Sequence, residues 1–181
     1  GWIWDIGLWA RRGTGHVFST KYTSDEQAER ILRDYIGPEA DGVNARFIDM
    51  RVGYRPKPFT KNCIALGLSA GFVEPLEATG LLAYDSLARL LADRLPKTTQ
   101  DTPLIAEQYN RFSARLWVRV IDFIKLHYAI SDRDDTPFWR DNRNPKTWPE
   151  SLHDKLNLWR YHQPDEYDFE SRYEVFGVDN Y

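Results

Sequence analysis

The sequence predicts an α+β chain, or a piece of a larger α/β fold, in which strands dominate the first 80 residues and helices the remainder. Two patterns support this prediction: apolar residues alternate at period two near the amino terminus and recur at helical spacing in later segments. The length of 181 residues also suffices for one sizeable core. The change from strands to helices is expected near Gly80.

The first element is a predicted strand in residues 1–9, GWIWDIGLW. Its apolar side chains share one side of the strand: Trp2, Trp4, Ile6 and Leu8. The glycines of RRGTG at 11–15 predict a tight connection, and the strand formers at 16–22 predict the second arm of a hairpin. Two indoles on one face are typical of core packing, and the alternative is a wall for a planar cofactor or substrate.

Two later segments also predict strands. Residues 46–54 alternate, and residues 62–72, NCIALGLSAGF, predict a short buried strand that runs into a loop of small residues. The single Cys63 lies in the latter segment and is expected to be a buried small side chain rather than a nucleophile. One cysteine cannot form an internal disulfide, so a reducing, cytoplasmic location is expected.

Helical spacing predicts the remaining elements. Ser24 and Gln27 have the spacing of a capping box, and the helix after them is expected to end at Gly37. A second helix is predicted over 80–95, and residues 150–160 predict a short last helix.

The longest predicted helix starts near Pro103, with Asp101 or Thr102 as its cap, and ends around Ile130. Its apolar stripe has seven members: Ile105, Tyr109, Phe112, Leu116, Val120, Phe123 and His127. A loop rich in Pro, Asp and Asn is predicted over 131–149.

Composition narrows the classes of partner. The formal net charge is −3, so neither nucleic acid nor an anionic membrane is an expected partner. No apolar run is long enough for a bilayer-spanning segment. No metal site is expected, because the histidines lack metal-binding spacing: His16, His127, His153 and His162.

Residues 71–80, GFVEPLEATG, place two carboxylates at the junction between a strand and a helix. A helix start exposes backbone N–H groups and partial positive charge, which attract anions. Glu74 precedes Pro75 and is expected to tie down the turn, whereas Glu77 is a candidate to accept a proton from a substrate or to orient one. The alternative is that the glycines only serve turns and that Glu77 complements the helix dipole.

Three motifs, in this order and spacing, resemble the C-terminal portion of flavin-dependent tryptophan halogenases: GWIWDIGL, GLSAGFVEPLEATG and DTPFW. The middle motif resembles a Glu-Pro-Leu-Glu-Ser-Thr-Gly sequence at the meeting point of flavin, halide and substrate tunnel, and the first resembles the W-x-W-x-I-P signature near the flavin. The resemblance implies part of an FAD-dependent monooxygenase-like α/β fold. Residues 1–95 would complete the flavin-binding module, and residues 96–181 would form a truncated, mainly helical substrate-binding part.

The resemblance also implies an activity. In this family, halide attacks the hydroperoxide of reduced FAD to form hypohalous acid, which then halogenates an indole or tryptophan-like ring. Glu77 would be the catalytic residue and touch the substrate, and the backbone N–H groups of Thr79 and Gly80 would bind chloride or bromide. Two further groups are implied: flavin contacts at Leu68, Leu81, Trp2 and Trp4, and a substrate contact at Tyr181.

Two residues depart from the family pattern, since Gly7 replaces the proline of the first motif and Ala78 replaces the serine after Glu77. The Ala78 change removes a hydroxyl near the substrate, so specificity for free tryptophan is not implied. The family's dinucleotide fingerprint and lysine do not occur in this chain, which would therefore be an inactive piece of a longer enzyme.

The implied partners are a flavin reductase that supplies FADH2 and an aromatic small molecule, and a homodimer is left open. Two alternative functions also stay open: a flavin-dependent aromatic hydroxylase, and a non-catalytic aromatic-binding or assembly domain.

Overall fold

The computed structural model describes residues 1–169 and 174–181. Within these residues, five α-helices accompany six strands that pair into three two-stranded antiparallel sheets. The chain divides into two compact units, one of residues 1–50 and 134–138 and the other of residues 51–133 and 139–181. The predicted strand-rich start and helical remainder are therefore confirmed.

The first unit contains the predicted hairpin, formed by β1 (Trp2–Leu8) and β2 (Arg11–Val17). The prediction of its second arm over 16–22 is mostly wrong, because only residues 16 and 17 of that segment lie in β2. The prediction that Gly13 and Gly15 form the tight connection is wrong, because both glycines lie within β2. Trp4 pairs with Gly15, and a Cβ atom on Gly15 would overlap the Trp4 indole. A Cβ atom on Gly13 would lie 3.5 Å from the same ring. The glycines therefore clear room on the strand for an indole.

Helix α1 (Asp25–Ile36) follows the hairpin and has the predicted ends. The Ser24 hydroxyl accepts a hydrogen bond from the Gln27 N–H at 3.3 Å, which supplies a partner for one of the first N–H groups of the helix. The helix ends at Gly37, whose φ of 77° lies in the left-handed region that glycine adopts without steric cost.

The second unit is built around α2 (Thr79–Asp93) and α3 (Thr102–Ala129), whose bounds lie close to the predicted ones. Four of the seven predicted stripe residues of α3 are buried: Tyr109, Leu116, Val120 and Phe123. The Asn110 side chain of α3 makes two hydrogen bonds to the backbone of Phe59, both at 2.9 Å: it accepts from the N–H group and donates to the carbonyl oxygen. Because Phe59 packs with Leu87 and Tyr109, this contact anchors the core between α2 and α3.

Four short strands precede α2. β3 (Gly53–Tyr54) pairs with β6 (Gly71–Phe72), and β4 (Phe59–Thr60) pairs with β5 (Cys63–Ile64). The predicted strand over 46–54 is thus mostly wrong, because only its last two residues pair with another described strand. An alternating pattern yields a strand only where a neighbour supplies hydrogen bonds.

Cys63 is exposed, so the prediction of a buried side chain is wrong. It pairs with the exposed Thr60, whereas the neighbouring pair of Phe59 and Ile64 is the covered one. The predicted short strand followed by a loop of small residues corresponds to β5 and the 3₁₀ turn at Gly67–Ser69, and the additional short strand β6 ends the segment.

The last helices are α4 (Pro137–Arg143) and α5 (Glu150–Leu158). α5 was expected from the sequence, but the predicted loop over 131–149 contains α4 and a 3₁₀ turn at Pro145–Thr147. Trp139 of α4 is buried, and this burial offsets the polar composition that predicts a loop. Of the helices in the described parts of the chain, none is both long and apolar enough to cross a membrane.

A buried group of charged side chains joins α3 to α5. The Asp122 carboxylate accepts a hydrogen bond from the Ser151 hydroxyl at 2.7 Å, and burial raises the pKa of Asp122. The Nζ atom of Lys155 lies 3.9 Å from this carboxylate, and an Arg119 nitrogen lies 3.8 Å from it. Two cations therefore face the Asp122 carboxylate in the interior of the second unit, and the Arg119 Nε atom also lies 3.2 Å from the buried Glu174 carboxylate.

Candidate active site

The segment 71–80 starts from a glycine that packing requires. Gly71 pairs with Tyr54, and a Cβ atom on Gly71 would lie 2.7 Å from the Tyr54 Cβ and 2.9 Å from the Trp117 ring. Trp117 is fully buried and stacks on Tyr54 with ring centroids 6.1 Å apart. The Tyr84 hydroxyl of α2 donates a hydrogen bond to the Gly71 carbonyl at 2.8 Å. The start of the segment is therefore fixed against both α2 and α3.

The middle of the segment is a tight turn with two consecutive left-handed residues. Glu77 has φ 56° and ψ 19°, and Ala78 has φ 52° and ψ 24°. Non-glycine residues in this region cost about 1–3 kcal/mol each, and they persist where the surrounding structure holds them. The Ala78 N–H donates to the Pro75 carbonyl at 3.0 Å, which closes the turn. The Glu77 side chain is exposed at its outer surface.

Glu74 lies at the entry of this turn and is partly buried. Both of its carboxylate oxygens accept the Tyr128 hydroxyl of α3, at 2.9 and 3.0 Å. Burial raises the pKa of Glu74, and the hydrogen bond from Tyr128 opposes this shift. The expectation that Glu74 ties down the turn agrees with this contact.

The turn leads directly into α2. Ala78 occupies the N-cap position of α2 and makes no side-chain cap hydrogen bond. Thr79 is buried, its N–H donates to the Leu76 carbonyl, and its hydroxyl lies 3.3 Å from the same oxygen. A Cβ atom on Gly80 would meet the Tyr84 hydroxyl at 3.5 Å, an ordinary contact. The helix start therefore presents backbone rather than a capping side chain.

The residues predicted to touch a flavin fall into two groups. Leu68 and Leu81 lie on either side of the turn in the second unit, and each side chain is 72% exposed. Trp2 and Trp4 belong to the first unit, where Trp4 lies over the glycines of β2 and is 40% exposed. Trp4 therefore both packs on the hairpin and keeps part of its indole accessible.

Tyr181, the predicted substrate contact, lies among aromatic rings of the second unit. Its ring centroid is 5.1 Å from that of Trp159, 5.3 Å from that of Phe169 and 5.6 Å from that of Phe123. The Lys155 Nζ atom lies 5.3 Å from the Tyr181 centroid, within the range of a cation–π contact. Burial raises the pKa of the Tyr181 hydroxyl, and the negative charge of Asp122 adds to this effect.

The sequence motifs do not point to three aromatic residues that fix the segment: Tyr84, Trp117 and Tyr128. A signal exists for Tyr84, which follows Gly80 by one helical turn and shares its face of α2. Tyr128 comes directly after the predicted apolar stripe of α3, and its partner Glu74 is 54 residues away. No local pattern indicates that partner.

Strained backbone lies beneath an exposed carboxylate here, next to a helix start without a capping side chain, and backbone strain of this kind is frequent at functional sites. The geometry thus defines a candidate site in which an exposed carboxylate lies directly before a helix start.

Similarity to known proteins identifies the family to which the chain belongs. The family model for tryptophan halogenases matches residues 1–181. The chain is 39% identical to the tryptophan 6-halogenase SttH of Streptomyces toxytricini over 165 residues, which cover 91% of this chain and 31% of the relative. It is 32% identical to the tryptophan 7-halogenase RebH of Lentzea aerocolonigenes over 163 residues, with 88% of this chain and 30% of the relative covered.

The fold agrees with these relatives. The structure resembles the crystal structure of a tryptophan halogenase from Shewanella frigidimarina NCIMB 400 with a TM-score of 0.93 and 40% identity, over 99% of this chain and 35% of that chain. The chain belongs to the tryptophan halogenase family, which confirms the resemblance of its motifs. It spans about a third of the length of the curated relatives that it matches.

Proposed function

We propose that the protein is a flavin-dependent halogenase that attaches chlorine or bromine to tryptophan or a related indole. The observation that carries this proposal is Glu77, whose exposed carboxylate stands on a strained turn directly before a helix start. Relatives named as tryptophan 6- and 7-halogenases support the substrate class. The proposal includes an FAD-dependent monooxygenase-like α/β fold, in which residues 1–95 serve the flavin and residues 96–181 the substrate.

Residues in each unit have the chemistry to contact a flavin. In the second unit, Leu68 and Leu81 precede and follow the turn in the sequence and expose apolar side chains. In the first unit, the partly exposed Trp4, with Trp2 on the same strand, offers a flat aromatic surface. When bound, reduced FAD supplies with oxygen the oxidising equivalent that converts a halide into hypohalous acid.

The first turn of α2 fits a halide. Ala78 contributes no acceptor, so the backbone N–H groups and the positive end of the helix dipole are left to attract an anion. The Thr79 N–H already donates to the Leu76 carbonyl, and a halide would therefore share this donor and depend more strongly on Gly80.

Glu77 then serves the aromatic substitution. A carbon–halogen bond forms on the ring as the oxygen–halogen bond of hypohalous acid breaks. The ring carbon gives its proton to the Glu77 carboxylate, and the leaving oxygen takes up that proton and departs as water. Glu77 needs no unusual chemistry for this transfer, since a positioned carboxylate is a common general base. Tyr181 fits the substrate side, because its ring and those of its neighbours can stack on an indole.

The same proposal includes a flavin reductase as the source of FADH2. It also places the enzyme in the reducing environment of the cytoplasm and includes a homodimer as one possible oligomeric state. Because Ala78 carries no hydroxyl, an indole other than free tryptophan is included among the substrates.

The test is an assay of the full-length protein with a flavin reductase, FAD, oxygen, bromide or chloride, and either L-tryptophan or indole. Glu77→Gln is expected to lower halogenated product by at least about 100-fold, because general-base catalysis contributes on the order of 10²–10⁴-fold, and to leave flavin oxidation unchanged. The matched control is Glu107→Gln, the same change at an exposed glutamate of α3 paired with Arg111.

Three outcomes would count against the proposal. A hydroxylated product without halogen would identify a flavin-dependent hydroxylase instead. Binding of a protein partner without any flavin turnover would identify an assembly domain, and equal activity of the Glu77 and Glu107 variants would remove Glu77 from catalysis.

A further inference from the structure

The contact between Glu74 and Tyr128 links the candidate active site to α3. The Tyr128 hydroxyl lies 2.9 and 3.0 Å from the two oxygens of the Glu74 carboxylate, so one donor bridges both acceptors. Tyr128 is 4% exposed, and its ring centroid lies 5.6 Å from that of the buried Trp139. The donor is thus held in place by packing rather than by the hydrogen bond alone.

Other groups near Glu74 do not replace this bond. Lys125 and His127 of α3 exert a favourable charge effect on the carboxylate, but among the described residues Tyr128 is its hydrogen-bond donor. The Lys125 ammonium instead donates to the Asn142 side chain at 3.1 Å. Removing the Tyr128 hydroxyl would therefore leave a partly buried carboxylate without its donor.

The turn between Glu74 and Thr79 needs support at both ends. Glu77 and Ala78 adopt left-handed backbone geometry. Without support from the surrounding structure, these residues would prefer right-handed helical or extended geometry. At the carboxyl end, buried Thr79 is fixed to the Leu76 carbonyl. At the amino end, Glu74 is followed by Pro75. Because the φ angle of proline is fixed, the position of Glu74 restricts where the turn can lie. The Tyr128 bond is the anchor of that end.

We propose that Tyr128 is a positioning residue that holds the Glu77 carboxylate in its reactive place through Glu74. This inference rests on the proposed halogenase function. Tyr128 touches neither substrate nor halide in this role, so its loss lowers the rate of halogenation without weakening substrate binding. A displacement of the general base by a fraction of an ångström is enough for a large rate effect.

The experiment compares Tyr128→Phe with Tyr109→Phe in the full-length protein, with L-tryptophan or indole and bromide as the probes. Tyr109 is a matched control on the same helix, because it is 2% exposed and its hydroxyl has no hydrogen-bond partner among the residues that the structure describes. Tyr128→Phe is expected to lower kcat by about tenfold, equivalent to about 1.4 kcal/mol, with KM changed less than about twofold. Tyr109→Phe is expected to leave both constants within about twofold of the wild-type values.

A double-variant cycle separates positioning from general damage. In a Glu77→Asp background, where the carboxylate is already displaced by one methylene, Tyr128→Phe is expected to lower kcat by less than about twofold. An equal loss in both backgrounds would show that Tyr128 acts independently of Glu77 and would overturn the inference.

A second pair of variants keeps the inference testable if Tyr128→Phe does not fold. Glu74→Gln retains an oxygen that accepts the Tyr128 hydroxyl and is expected to keep kcat within about threefold, whereas Glu74→Ala is expected to fall about tenfold. Equal rates for these two variants would overturn the inference while leaving the proposed function intact. Absence of halogenated product from the wild-type protein would overturn both.

Discussion

Replacing Gly71 by alanine is expected to destabilise the second unit, because the added methyl group has no room. The new Cβ atom would lie 2.7 Å from the Tyr54 Cβ and 2.9 Å from the Trp117 ring, and the first of these atoms is bound directly to backbone. Neither neighbour can rotate away, since the Trp117 side chain is fully buried and stacked on Tyr54.

The expected loss follows from two opposing effects. Overpacking by one methyl group costs about 1–3 kcal/mol, and contacts on two sides place Gly71 at the upper end of that range. The lower chain entropy of the unfolded alanine variant offsets at most about 1 kcal/mol. We therefore expect the free energy of unfolding to fall by about 2 kcal/mol.

The measurement is chemical denaturation of the full-length protein, followed by tryptophan fluorescence. Gly80→Ala is the matched control from the same segment, because its Cβ atom would meet the Tyr84 side chain at 3.5 Å or more, an ordinary contact, and alanine is a better helix former than glycine. A Gly71→Ala variant as stable as Gly80→Ala would refute the packing argument.

Three further predictions concern buried charge and strain. Asp122→Ala is expected to lower the free energy of unfolding by about 3 kcal/mol, the lower end of the range for a broken buried ion pair, because Lys155 and Arg119 lose a buried carboxylate while Arg119 keeps Glu174 at 3.2 Å. Glu107→Ala breaks an exposed ion pair and is expected to cost less than about 1 kcal/mol, so similar losses of the two variants in urea denaturation would contradict this prediction. Burial raises the pKa of Glu74, so the folded state favours the protonated acid and its contribution to stability falls as pH rises from the ordinary glutamate pKa through the raised one. Glu74→Gln is therefore expected to gain stability relative to wild type as the pH rises from about 4 to about 7. If the difference in free energy of unfolding between variant and wild type is the same at both pH values, the prediction is wrong. Ala78→Gly is expected to raise the free energy of unfolding by about 0.5–1 kcal/mol, since glycine removes the left-handed penalty of about 1–2 kcal/mol and loses part of the gain to unfolded-state entropy; a lower melting temperature would argue against strain at this residue.

Part of the candidate site could be predicted because its residues are consecutive in the chain. Glu77, Thr79 and Gly80 lie in one motif, so their roles could be inferred together, and those roles stay predictions until tested. The left-handed geometry of Glu77 and Ala78 could not be predicted, since both residue types prefer other backbone conformations. That geometry depends on anchors at both ends of the turn, and one of them, Tyr128, is 54 residues from Glu74.

The sequence alone determined the elements whose signals are local. The β1–β2 hairpin follows from alternation, α1 from the Ser24 cap and the terminal glycine, and α3 from a long apolar stripe, because neighbours along the chain supply the hydrogen bonds and the periodicity. Tertiary structure decided the rest. Residues 46–52 alternate but pair with none of the strands that the structure describes. Gly13 and Gly15 make room for an indole on the opposite strand, and Glu74 accepts its hydrogen bond from a residue of α3. Each of these outcomes depends on contacts between residues far apart in the sequence, and a local pattern carries no information about them.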